Sequence, residues 1–287
     1  MNIPAWLSYT LLTILASAPF YRAIHRAGGA ASEDFDRQFR TLMWIPGIMA
    51  FGIRFVKGMG ITGIGLTAGR LPWLLLAALL IPFLMEILLI TASVRFRLAR
   101  LDPSMVAKKD GIVYVSQSVR LLLGNEPQST PKFILNLLAT ITTGAMFMVV
   151  FSLAEEFGWR GFLQNEVIET FGLSGGLVLG GILWGIWQIP IVLTGYKFPG
   201  YPRLGAFVFL PIFTISAGIV TGWLYWLSGS IWVPAIFNAS TKITSLISSA
   251  ALGDAGDSRR VRIVWLWLWA NTVRKGKKSR TRGACLR

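Results

Sequence analysis

The chain has 287 residues, of which 54% are hydrophobic and 14% are charged, and its formal net charge is +15. A soluble domain has about a quarter of its residues charged, so this composition argues against a soluble globular protein. The excess of 28 Lys and Arg over 13 Asp and Glu could suit a nucleic-acid partner, but the distribution of these residues along the chain argues for a membrane and against nucleic-acid binding.

Seven apolar blocks follow one another along the chain. A bilayer core about 30 Å thick needs roughly 20 mostly apolar residues per helix, and five of the blocks reach that length. In chain order the blocks are 4–20, a short one at 42–53, and then 71–94, 133–156, 173–196, 204–229 and 230–253. The pattern predicts an all-α polytopic membrane protein with about seven or eight transmembrane helices. No basic residue precedes block 4–20, as one would in a secretory signal, so we interpret it as a retained span.

The basic residues predict the orientation. With seven spans and an outside N-terminus, 23 of the 28 Lys and Arg fall on one side of the membrane, four fall on the other, and Lys242 lies within a span. Cytoplasmic loops carry the excess of Lys and Arg. We therefore expect an integral protein of the cell membrane with a cytoplasmic C-terminus; an eighth span would move the N-terminus to the inside.

The composition changes near residue 254. Residues 1–253 are predicted to form one transmembrane helical domain, and residues 254–287 form a basic tail that contains the run IVWLWLWA. Eight apolar residues are too few to span a bilayer. Tryptophans between basic clusters suit the membrane interface and anionic lipid, although a disordered basic tail fits the composition equally well. Membrane lipids are the partners that this pattern predicts.

Few ionisable residues lie in the predicted spans, where such residues are costly and often functional. Glu155 and Glu156 end the span 133–156, Arg160 follows, and Lys242 lies inside 230–253. On a helix Glu156 and Arg160 share a face and can pair. Glu155 then points about 100° away and could serve as a general base for water. The alternative is that both carboxylates only mark the end of a span near the headgroups.

Three segments carry a resemblance to a known family. Residues 154–164, AEEFGWRGFLQ, resemble the EExxxR motif of the CPBP intramembrane proteases, which include CAAX prenyl endopeptidases and bacteriocin-processing proteins. Residues 180–195, GGILWGIWQIPIVLTG, resemble the second motif, and residues 229–242, GSIWVPAIFNASTK, resemble the third. The likeness covers most of 40–250. It implies the family's helical membrane fold, peptide-bond hydrolysis, and membrane-embedded or lipidated peptide substrates.

The chain departs from the family at its histidines. In the family a motif-one glutamate activates water together with a motif-two His, and motif three adds a His and an Asn. Here Gln188 stands at the motif-two His, Asn238 at the motif-three His and Lys242 at the motif-three Asn. The resemblance also makes Glu155 the nearest counter-ion for Lys242. The candidate site residues are Glu155, Glu156, Arg160, Gln188, Asn238 and Lys242.

These replacements limit the chemistry. The one histidine, His25, lies in the first loop, and the one cysteine, Cys285, lies near the C-terminus. A zinc site in the membrane region would lack its imidazole and thiolate ligands, so we expect no metal and no cofactor. Straight spans would also hold Glu155 near one membrane edge and Gln188 deeper. Their convergence requires that the helix carrying Glu155 continue through 160–170, or that the chain bend near Pro190.

Three functions stay open at this point. The first is an intramembrane endopeptidase with weakened catalysis, in which Glu155 is the base and Gln188 and Asn238 assist. The second is a non-catalytic pseudoprotease that binds transmembrane or lipidated segments. The third is a transporter or channel, which is the least supported because the sequence shows no internal repeat.

Overall fold

The computed structural model describes residues 3–95, 106–115 and 127–251, and these are mostly helical. The helices are α1 (Ala5–Arg26), α2 (Phe35–Leu42), α3 (Ile45–Val56), α4 (Trp73–Arg95), α5 (Thr130–Gly158), a π-helix (Trp159–Gln164), α6 (Asn165–Leu193), a helical turn (Pro202–Leu204), a second π-helix (Gly205–Phe209), α7 (Leu210–Ser228) and α8 (Trp232–Ala251). The strands are β1 (Val106–Lys109), β2 (Ile112–Val115) and β3 (Gln128–Ser129). The predicted tail 254–287 lies outside the described residues.

Apolar helices long enough to cross a membrane confirm the membrane prediction. Within the described ranges three helical segments qualify, Phe35–Val56, Thr130–Leu193 and Pro202–Ser228, and Trp73–Leu88 is a shorter apolar helix. The protein is therefore an integral membrane protein that is mostly helical. The total of seven or eight spans stays a prediction.

The chain divides into two compact units. Among the described residues, the first unit contains 3–81 and 142–242, and the second contains 82–95, 106–115, 127–141 and 243–251. All six candidate site residues belong to the first unit.

An aromatic cluster forms much of the core of the first unit. The ring of Tyr9 in α1 lies edge-on to Trp159, with centroids 5.8 Å apart, and 5.2 Å from Phe162. Trp159 in turn lies 5.6 Å from Trp187 in α6. Edge-to-face aromatic pairs of this kind are favourable beyond the area that they bury. The cluster therefore holds the first π-helix against both α1 and α6.

One continuous helical run carries the first two motifs. The segment Thr130–Leu193 has 64 residues, because the π-helix joins α5 to α6 without a loop. The run bends at Gly172, whose φ of 71° and ψ of 172° are not helical. Glycine adopts positive φ without steric cost. The predicted span 173–196 thus begins directly after the bend.

Small residues allow α6 and α7 to approach closely. A Cβ added to Gly181 would lie 2.7 Å from the Cα of Ile215, and one added to Gly218 would lie 2.7 Å from the Cα of Gly181. Contacts this short leave no room for a side chain, as at many helix interfaces in membranes. This packing fixes α6 beside α7.

The second unit contains a small antiparallel sheet with the order β1-β2-β3. The β1–β2 turn has Asp110 and Gly111 at φ of 50° and 80°, and an Asp-Gly pair is a strong signal for such a hairpin. These short strands were not predicted from the sequence, whereas the mostly helical class was.

Candidate functional site

The first motif lies where α5 passes into the π-helix. Glu155 and Glu156 are in the last turn of α5, Arg160 is in the π-helix, and all three are buried. A π-helical turn is rare and is often found at functional sites. Convergence of the site was predicted to require that the helix carrying Glu155 continue through 160–170, and the helical run does continue through these residues before it bends at Gly172.

Glu156 and Arg160 form the ion pair that the spacing predicts. Arg160 Nη1 donates to Glu156 Oε1 at 3.0 Å and lies 2.9 Å from Oε2. Asn238 Nδ2 from α8 also donates to Oε1, at 2.8 Å. The second guanidinium nitrogen, Nη2, donates to the hydroxyl of Thr221 in α7 at 2.5 Å. The Glu156 carboxylate therefore links the π-helix to α8, and Arg160 links it to α7.

Glu155 is held by a different pair of donors. Lys242 Nζ from α8 lies 2.8 Å from Glu155 Oε2, which is the ion pair expected from the resemblance. Trp184 Nε1 from α6 donates to Oε1 at 3.0 Å. Lys242 Nζ also lies 3.8 Å from the sulfur of Met43. Both carboxylate oxygens of Glu155 are thus engaged by donors.

Arg160 connects the two halves of this network. Its guanidinium carbon lies 5.0 Å from the centroid of the Trp184 ring, within the range of a cation–π interaction. With all four groups ionised, the charges of Glu155, Glu156, Arg160 and Lys242 sum to zero. Such compensation matters because an unpaired charge in a low-dielectric interior is strongly unfavourable.

Gln188 is the one candidate that does not join the network. Its side chain is buried, with 5% of the residue exposed. This side chain makes no hydrogen bond within the part of the chain that the structure describes. It follows Trp184 by four residues, so the two share a face of α6. Gln188 therefore lines the same side of the helix as the tryptophan that holds Glu155.

The chemistry of this arrangement lacks an imidazole. His25 is exposed at the end of α1, and no described group of three His, Cys, Asp or Glu residues could hold a metal ion. Neither amide, Gln188 or Asn238, can take a proton as imidazole does. The expectation that purified protein contains no zinc stays a prediction.

Sequence reasoning missed three partners of the network: Trp184, Thr221 and Met43. The spacing of Trp184, one helical turn before Gln188, is a signal that could have identified it. Thr221 and Met43 lie outside the three motifs, and no local pattern distinguishes them from the rest of their apolar segments.

A comparison with known protein families supports the family resemblance. Residues 133–244 match a family model described as type II CAAX prenyl endopeptidase Rce1-like. That range contains all six candidate site residues and all three motifs. No curated protein matches the chain.

Proposed function

We propose that this protein is an endopeptidase homologue whose catalysis is strongly weakened or lost, because residues 133–244 match the model of the Rce1-like type II CAAX prenyl endopeptidases and the site lacks the histidines that the resemblance implies. It binds transmembrane or lipidated peptide segments at the family's site and leaves them largely intact.

The contact between Glu155 and Lys242 carries this proposal. A general base must have a free lone pair within hydrogen-bond reach of the water that it activates. Lys242 and Trp184 occupy one oxygen each of Glu155. A carboxylate that is paired with an ammonium group also accepts a proton less readily. Each oxygen keeps a second lone pair, so these contacts weaken Glu155 as a base for water without blocking it.

The amides support the same conclusion. Asn238 donates one of its two N–H groups to Glu156. An amide also cannot pass a proton to a leaving amine as imidazolium does. Losing a positioned acid–base group typically costs about 10²–10⁴ in rate. Gln188 and Asn238 can still orient water or bind a carbonyl oxygen, which suits recognition of a peptide better than its hydrolysis.

The experiment is to restore the family's residues together. Wild-type protein should bind a prenylated peptide and cleave it very slowly or not at all. Replacing Gln188→His, Asn238→His and Lys242→Asn at once should raise the cleavage rate by about 10²-fold or more. Each single replacement should do little, because groups that act as a unit are strongly non-additive.

Two glutamate variants in the restored protein control this test. Glu155→Ala should abolish the gain, and Glu169→Ala, which removes an exposed glutamate elsewhere in α6, should keep it. Fast cleavage by wild-type protein that is lost on Glu155→Ala would show that the proposal is wrong. A triple variant that folds and binds peptide without gaining activity would contradict the assignment of the motifs.

The orientation forms part of the proposal. A cell-membrane location with the C-terminus in the cytoplasm is supported by the 23 basic residues that fall on one side, following the positive-inside rule. Membrane lipids and a membrane-embedded or lipidated peptide are the partners that fit this placement.

A further inference from the structure

An apolar groove lies between α1 and α3, away from the motif residues. It has a volume of 440 Å³ and is lined by Leu12, Met49, Gly52, Ile53, Val56 and Lys57. Except for Lys57 the lining is apolar. From Met49 to Lys57 the lining follows α3 over eight residues, which corresponds to about 12 Å along the helix axis.

The groove is open at the surface of a candidate membrane span. Its α3 residues belong to the candidate span Phe35–Val56, and Leu12 and Val56 have 46% and 86% of their surface exposed. A surface of this kind within a bilayer meets hydrocarbon chains. Because lipid tails are as apolar as the groove, dispersion contacts rather than the hydrophobic effect would retain a chain there.

Lys57 supplies the selectivity that the apolar lining lacks. It is the first residue after the span, it is exposed, and its side chain makes no ion pair or hydrogen bond to any residue within the described ranges. Its neighbour Arg54, by contrast, is buried and donates to the carbonyl oxygens of Gly60 and Thr62. Lysines at the ends of spans reach the headgroup region, so the ammonium is placed to meet a phosphate.

We propose that this groove binds one phospholipid with an anionic headgroup, whose acyl chain lies along α3 beside Gly52 and whose headgroup contacts Lys57. The site is independent of the motif residues and of the proposed function. Gly52 makes room for the chain, since a Cβ added there would meet nothing within 4 Å.

The test is native mass spectrometry of the protein released from nanodiscs that contain equal amounts of phosphatidylglycerol and phosphatidylcholine. Wild-type protein should retain one phosphatidylglycerol in preference to phosphatidylcholine. Gly52→Leu should lose most of this retained lipid, and it should fold because leucine favours a helix over glycine. Lys57→Gln should keep a lipid but lower the preference about fivefold, the effect of one Lys near an anionic surface.

Each variant has a matched control. Gly180→Leu also fills open space on a helix, and Lys132→Gln also removes an exposed lysine at the start of a span; neither should change the retained lipid. Equal retention of both lipids by wild-type protein would overturn the proposal, as would unchanged retention by Gly52→Leu.

Two other occupants would also overturn it. Retention of an added farnesylated peptide in place of phospholipid would assign the groove to the lipid chain of a substrate. A dimer that Gly52→Leu converts to monomer would assign it to a second copy of the chain.

Discussion

Arg160→Ala tests whether the buried ion pair stabilises the fold. The variant removes both contacts with Glu156, at 2.9 and 3.0 Å, and the hydrogen bond to Thr221. The Glu156 side chain is 0% exposed, so water cannot replace the lost guanidinium. Asn238 would be the one remaining hydrogen-bond donor to this carboxylate among the described residues.

The expected loss is large. Removing one partner of a buried ion pair typically costs about 3–5 kcal/mol, because the other charge is left without compensation. For chains somewhat shorter than this one, 1 kcal/mol shifts the unfolding midpoint by about 2–4 °C. Arg160→Ala should therefore lower the midpoint in detergent by roughly 6–20 °C.

A second variant separates charge from packing. In Arg160→Met with Glu156→Gln both charges are removed, and replacing a buried pair by neutral groups is often nearly neutral for stability. The double variant should therefore recover much of the loss. The matched control is Arg37→Ala, which breaks an exposed pair with Asp34 and should change the midpoint little.

The measurement is thermal unfolding in detergent, and the folded fraction at each temperature is determined by size-exclusion chromatography or fluorescence. A midpoint for Arg160→Ala that equals that of Arg37→Ala would refute the structural role of the pair. A double variant that is as unstable as Arg160→Ala would show that packing of the guanidinium on Trp184, rather than charge compensation, is what the protein loses.

The remaining predictions concern metal and topology. We expect no stoichiometric zinc in the purified protein, because the chain has one His and one Cys and neither falls within the three motifs; elemental analysis that found one zinc per chain, lost on Glu155→Ala, would contradict this. We also expect an impermeant thiol reagent to leave Cys285 unlabelled in intact cells and to label it after permeabilisation, because the basic tail is predicted to be cytoplasmic. Labelling of Cys285 in intact cells would reverse the orientation.

Much of the fold could be predicted because membrane spans are read from long apolar blocks. The pairing of Glu156 with Arg160 followed from helical spacing alone, whereas the contact between Glu155 and Lys242 needed the family resemblance. The sheet was not predicted although Asp110 and Gly111 carry a clear turn signal. Its strands have four residues or fewer, which is too short to be distinguished beside long apolar blocks.

Other parts of the site could not be predicted. The π-helix Trp159–Gln164 depends on how its aromatic residues pack against α1 and α6, which the local sequence does not encode. The hydrogen bond from Trp184 to Glu155 depends on the rotation of α6, which the spacing of Trp184 from Gln188 suggests but does not fix. The second motif indicates Gln188, which is the candidate site residue whose side chain makes no hydrogen bond within the described residues.

The contact between Glu155 and Lys242 also affects how such a sequence can evolve. Lys242 Nζ has Glu155 as its acidic partner in the described structure, beside the thioether of Met43. A neutral residue at 155 would leave the ammonium without a counter-ion in a largely buried position. Selection for folding alone would therefore retain this glutamate after hydrolysis had been lost. An intact EExxxR motif beside a lysine at position 242 would therefore reflect a requirement of folding and would not by itself indicate peptidase activity.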